Sequence, residues 1–303
     1  MMAWSRGPAG RTPSLFRRAS ASTSTFVPAL LALPYDDRQR IIVVPDAVWQ
    51  AELEARTQGA DWKLVLRECT KTLIPVYGWF RFGKFVREYS KFVSRSKNQK
   101  LPVTPIPESD AGQLQFFPAG HPRRKTLYVA NPVAPGIYYA AAMFHHLTFE
   151  HKVLEAVKIL AKLGATQIEV TSVSGWGQEV GANASIPLPT HVPTTFGGKL
   201  NRTQHTNSTI NLVTDLSPRV WDGELPTGLY WYRQQPDWQA MVDLCRQGAE
   251  SFTMNVQYQD DFGVSGGIEA TAAGVGLSLG GKFQSQESTV WRLAGRWASA
   301  PHP

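Results

Sequence analysis

The sequence predicts an α+β protein: helices before residue 100, one αβ unit in the middle, and a β-rich, mostly antiparallel C-terminal portion. Three observations carry this. In the middle of the chain, Phe149, Val153, Val157, Leu160 and Leu163 recur at steps of four and three, which aligns them on one helix face. Gly164 follows, suited to a left-handed helix end, and then Ile168-Glu-Val-Thr-Ser-Val173, β-branched and strand-like. Third, Phe252, Met254, Val256 and Tyr258 alternate with polar residues, the period of a half-buried strand.

Thr148 is the expected N-cap of the central helix. Lys152, Glu155, Lys158 and Lys162 fall between the apolar positions and are expected to face water. The apolar face of such a unit must be covered by a sheet.

Residues 1–34 form the first segment, read as a disordered tail or targeting segment. Residues 1–26 are rich in Ser, Thr, Gly, Pro and Arg and lack acids, a composition shared by tails and organellar presequences. Residues 35–100 form a helical region that opens on a short strand, Arg40 to Val44, ended by Pro45. Helices are expected over Asp46–Thr57 and Asp61–Leu73. Residues 101–125, with Pro102, Pro105, Pro107, Pro118 and Pro122, read as a linker. Residues 126–298 form the α+β domain. Within it, Thr126–Ala130 is a strand, Asn131–Tyr139 a turn region, Thr209–Val213 a strand and Asp237–Arg246 a short helix. Residues 275–279 and 290–295 alternate as strands.

Charge is unevenly placed. Residues 62–100 carry ten Lys or Arg against Glu68 and Glu88, and residues 1–35 carry four Arg and no acid. The net charge of +7 therefore leaves −5 on everything else. A uniformly basic nucleic-acid-binding surface is therefore not implied. No stacking platform or RNP-type motif supports RNA either, so nucleic acid is not an expected partner. Two cysteines, Cys69 and Cys245, make no disulfide framework and favour a reducing compartment. No apolar run reaches the roughly 18 residues of a conventional transmembrane helix.

The most unusual stretch is Tyr77–Lys97. At helical spacing Trp79, Phe82, Val86, Tyr89 and Val93 share one side, widened by Phe85 and Phe92. Arg81, Lys84, Arg87, Lys91 and Arg95 take the other. Such a helix can sink its aromatic face into a bilayer interface while its cations meet anionic headgroups. Packing of the aromatics on the protein's own sheet is the competing structural reading.

The densest cluster of ligand-type side chains is His145-His146-Leu-Thr-Phe-Glu150-His151. His146, Glu150 and His151 are the candidate metal ligands, although their spacing matches no zinc-hydrolase helix motif. Asp260-Asp261-Phe262-Gly263 has the letters of the kinase magnesium motif, but the kinase catalytic loop is absent, and a turn is expected. Gly274-Val-Gly276-Leu-Ser-Leu-Gly280 is one residue too long for a dinucleotide fingerprint and leads into strand residues.

The function these features favour is non-enzymatic action at an anionic membrane surface through the basic aromatic helix, with assembly of amphipathic strands as the accompanying expectation. No cofactor is expected. The partners are an anionic lipid surface and further copies of the chain. The alternatives are a soluble metal-dependent hydrolase using the His/Glu cluster and a structural subunit of a larger assembly. The matching location is cytoplasmic or peripheral to a membrane, with organellar import as the alternative.

Overall fold

After Arg40, the run Ile-Ile-Val-Val44 has no polar side chain, so a strand built from it needs apolar cover on both faces. It forms β1 (Arg40–Val44), buried along its whole length. The structure, a computed structural model, describes residues 26–58, 91, 103–175, 210–218, 221–265, 267–273 and 277–297. Its fold is α+β, with helices and two sheets.

In chain order the elements up to the central helix begin with α1 (Phe26–Leu31), α2 (Tyr35–Arg38), β1 and α3 (Asp46–Gln58). They continue with β2 (Thr104–Pro107), α4 (Glu108–Ala111), β3 (Gln115–Phe117), β4 (Leu127–Ala130) and β5 (Ile137–Ala140). A 3-10 turn, Ala141–Met143, leads into α5 (Phe144–Lys162). Then come β6 (Ala165–Ser174), β7 (Ile210–Asp215), α6 (Pro236–Arg246), β8 (Ser251–Tyr258), α7 (Gly267–Ala273) and β9 (Thr289–Trp297).

The first sheet has the order β2-β1-β4-β5-β3. β1 pairs parallel with β2 and antiparallel with β4, and β5 pairs parallel with β3. One face packs Ile42, Val44, Leu127 and Val129 with Phe144 and Leu147 from α5 and with Val264, Ile268 and Leu279. The other packs Ile41, Val43, Tyr128 and Tyr138 with Val27 and Leu30 of α1. The second sheet, β7-β6-β9-β8, is antiparallel throughout. Its inner face meets α5 and α6 in a cluster that includes Phe149, Val153, Leu160, Trp238, Val242, Val256 and Leu293. The central helix thus covers the first sheet with its opening turn and the second with the rest of its length. Burying apolar faces on two sheets is what makes it the longest described helix.

Several expectations are corrected. The proline-rich stretch 101–125 is no linker in its described part: residues 104–117 supply both edge strands of the first sheet. Proline is tolerated there because an edge strand leaves one row of N–H groups unpaired. The segment 1–34 is not all tail, since α1 buries Val27 and Leu30. The pairing of β1 with β4 joins residues from both sides of the expected boundary in one sheet. The turn expected over Asn131–Tyr139 ends at Gly136, and β5 follows. The helix expected over Asp61–Leu73 lies outside the described residues.

The central unit folds as its periodicity predicts but starts earlier. α5 begins at Phe144, and Thr148 lies in its second turn, fully buried, with a hydroxyl that caps nothing. Apolar contacts of Phe144 and Leu147 with the first sheet outweigh the local capping preference. Gly164 has φ +88°, the left-handed stop expected of it. A further glycine is set by strand approach: a Cβ on Gly295 would meet the Gln167 carbonyl and Phe252 Cζ, the latter at 2.6 Å. Gly295 pairs with Ile168 on one side and Phe252 on the other, beside the irregularity between Ala165 and Gln167.

Candidate functional site

Of the membrane-contact residues, Trp79, Arg81, Phe82, Lys84, Phe85, Arg87, Phe92 and Arg95 lie outside the described residues. Lys91 is described, as an exposed helical residue. The metal candidates are all described. α5 places them within two turns, but they do not converge. His146 Nε2 lies 3.1 Å from Glu150 Oε1, an i,i+4 pair of half-buried side chains. His151 turns the other way, and its Nδ1 lies 2.7 Å from the Tyr139 hydroxyl. Among the described residues no three His, Cys, Asp or Glu side chains are grouped to hold a metal ion.

His151 and His145 instead belong to two buried hydrogen-bonded chains. In the first, Asn131 Nδ2 donates to the Tyr139 hydroxyl at 2.7 Å, and that hydroxyl is hydrogen-bonded to His151 Nδ1. Asn131 Oδ1 also accepts from the N–H groups of Val133 and Ala134, which holds the turn before β5. In the second, His145 Nε2 donates to the Val264 carbonyl at 2.8 Å. A carbonyl can only accept, so Nε2 carries the proton, and the Tyr258 hydroxyl donates to Nδ1 at 2.8 Å. Burial raises both tyrosine pKa values and lowers both histidine values. Tyr139 and His145 are fully buried and Tyr258 nearly so. These chains fasten the start of α5 to β5, to the end of β8 and to the loop before α7.

A pH dependence follows from His151, whose pKa burial pushes down to about 4. The folded value lies below the unfolded value of about 6.5. As pH falls through that window, the unfolded chain takes up the proton first. Stability present above the window is therefore lost between about pH 6.5 and 4, by up to about 3 kcal/mol. His151→Gln keeps a neutral hydrogen-bonding partner for Tyr139 and removes the titration. In urea unfolding across that window, the variant is expected to lose less stability than the native protein. Parallel losses would show that His151 does not titrate as a buried group.

Two residues expected to face water form the most specific polar contacts of α5. Lys152 and Glu155 are both 7% exposed. Glu155 accepts the N–H of Tyr230 at 2.9 Å on one carboxylate oxygen and that of Tyr232 at 2.8 Å on the other. Lys152 Nζ donates to the Gln257 carbonyl at 2.8 Å and lies 5.2 Å from the Trp231 ring centroid. Desolvation lowers its pKa to about 8. The available signal was Ala156 and Ile159, which widen the apolar stripe until Lys152 falls inside it. Lys162 behaves as expected, paired with Asp222 at the surface.

Arg38 and Arg40 are also buried, with no carboxylate in salt-bridge range among the described residues. Arg38 stacks over Tyr35, and Arg40 Nη2 donates to the Gly263 carbonyl at 2.6 Å. Burial lowers the Arg40 pKa. Asp260-Asp261-Phe262-Gly263 forms a turn. Asp260 accepts from Phe262 N–H at 2.8 Å, Asp261 accepts from Gly263 N–H at 2.9 Å, and Phe262 and Gly263 take positive φ. Of the glycine-rich run, Gly274 to Gly276 lies outside the described residues, and Gly280 has φ +84°. No helix among the described residues is long and apolar enough to cross a membrane.

No protein-family model matches the chain, and neither a curated protein nor a solved structure matches it.

Proposed function

We propose that the protein is a non-enzymatic factor that docks on anionic membrane surfaces through residues 77–97, with the two-sheet body as its rigid platform. The single observation behind this reading is the concentration of ten cations against two acids in residues 62–100, next to a chain remainder that carries −5 outside the N-terminal 35 residues. Aromatic residues share that segment at helical spacing, which suits a helix lying in the headgroup plane. Each cation near an anionic surface contributes about 1 kcal/mol, so partial engagement of Arg81, Lys84, Arg87, Lys91 and Arg95 gives measurable attraction. Salt weakens it, because exposed charges are screened within about 10 Å at 0.1 M.

The test is liposome sedimentation of the full chain, with and without anionic lipid, at low and high salt. The native protein is expected to pellet with anionic vesicles at low salt only. A variant with Lys84, Arg87 and Lys91 changed to Gln should stay in the supernatant. Native protein that stays in the supernatant with anionic vesicles at low salt would sink the proposal.

A further inference from the structure

β8 is an edge strand of the second sheet. Just before it, the Trp297 N–H donates to the Glu250 carbonyl at 3.0 Å. Ser251 stands opposite Arg296, and the register runs unbroken to Tyr258 opposite Thr289. Bonding residues alternate along an antiparallel pair. Phe252, Met254, Val256 and Tyr258 therefore direct their backbone groups at β9, as Glu250 does. Ser251, Thr253, Asn255 and Gln257 direct theirs away from the sheet. Of these outward groups the Gln257 carbonyl is taken by Lys152 Nζ. Among the described residues, no hydrogen bond occupies those of Ser251, Thr253 and Asn255.

Edge strands are ordinarily guarded by proline, charge, shortness or a bulge, because an open edge recruits another strand. The first sheet follows that practice. Its edge β2 carries Pro105 and Pro107, and its edge β3 has three residues and runs into Pro118. β8 has eight residues, Ser-Phe-Thr-Met-Asn-Val-Gln-Tyr, with no charge, no proline and no bulge.

We propose that this edge is occupied by β8 of a second copy, antiparallel about a twofold axis at Thr253. An isologous contact requires one run of groups to complement itself. The run from Ser251 to Asn255 does so: Thr253 meets Thr253, and Ser251 meets Asn255 of the other copy. Neutral pairs of this kind stabilise a ladder, and no like charges are brought together. The Lys152 contact selects this register. An axis at Asn255 would place Gln257 opposite Thr253 and call on the carbonyl that Lys152 already holds. On the inner face, the even-numbered side chains of β8 are buried, and the adjoining α6 carries Leu244, 54% exposed, the most exposed large apolar side chain among those described. Joining two copies makes one continuous eight-stranded sheet.

The test is sedimentation equilibrium of the full chain over a range of concentrations, with variants at Thr253. This side chain is exposed, so its replacement leaves the core untouched. The native protein is expected to reach twice the 33.6 kDa chain mass. Thr253→Lys and Thr253→Glu each set like charges face to face and should weaken self-association by about tenfold. Mixed in equal amounts, the two variants should recover it as a heterodimer. A native protein that stays monomeric, as it would if the edge serves a strand of another protein, overturns the proposal. So does a dimer that both variants leave unchanged, or a mixture that stays monomeric.

Discussion

Changing Leu160 to alanine is expected to destabilise the protein by about 2–5 kcal/mol. Leu160 is fully buried in the cluster between α5 and the second sheet, with Val153, Ile168, Trp238 and Leu293 as members of the same cluster. Truncation loses the transfer free energy of the removed carbons. It also leaves a cavity that close-packed neighbours fill only in part. Strand β6 lies between two partners and α5 is anchored on both sheets, so little of the surroundings can collapse inward. The measurement is urea unfolding of native and variant protein, read as a change in midpoint at constant slope. A cost below about 1 kcal/mol would mean the helix is not held by this face.

Glu155→Ala is expected to cost about 3 kcal/mol. Hydrogen bonds to a charged group contribute about 1.5–3 kcal/mol each, and two backbone donors lose their acceptor together. Both donors, Tyr230 and Tyr232, belong to the segment that approaches α6, where Trp231 is buried against the second core. Glu155→Gln keeps one carbonyl oxygen and so one strong acceptor, and is expected to lose about half as much. Beyond stability, the alanine variant should expose residues 225–235 to proteolysis while the two sheets stay protected. If alanine and glutamine variants are equally stable and equally resistant, the carboxylate is not the anchor of that segment.

The elements legible in the sequence are those whose burial is one-sided and local. β8 alternates because one face of the second sheet meets helices and the other meets water, and its pattern reads directly as such. β1 was readable for the opposite reason, an apolar run with cover on both faces. Gly164 marked the end of α5 because its positive φ is a backbone demand that one residue type meets at least cost. The edge strands β2 and β3 were not readable. Their prolines signal a linker by local rules, and only pairing with β1 and β5 makes them strands.

The candidate site divides in the same way. Local spacing identified His146 and Glu150 as a helical pair, and they are one. It could not show that His151 turns to Tyr139, because that contact depends on how β5 packs against α5. Lys152 and Glu155 were assigned to water by residue type. Their partners, Gln257 and the Tyr230–Tyr232 segment, lie about seventy to a hundred residues along the chain, and burial became tolerable only once those partners were in place.

By itself, then, the sequence determined the α+β class, the central helix–glycine–strand unit, the alternating strands β8 and β9 and the uneven charge. Each is set by the period of apolar residues or the chemistry of single residues, which act over a few positions. The strand expected over 275–279 is, in its described part, only an isolated bridge from Ser278 to Thr126. Tertiary structure decided which strands share a sheet, where α5 begins and which polar side chains are buried. Those outcomes depend on pairing and desolvation between segments far apart in the chain, and no local period encodes them.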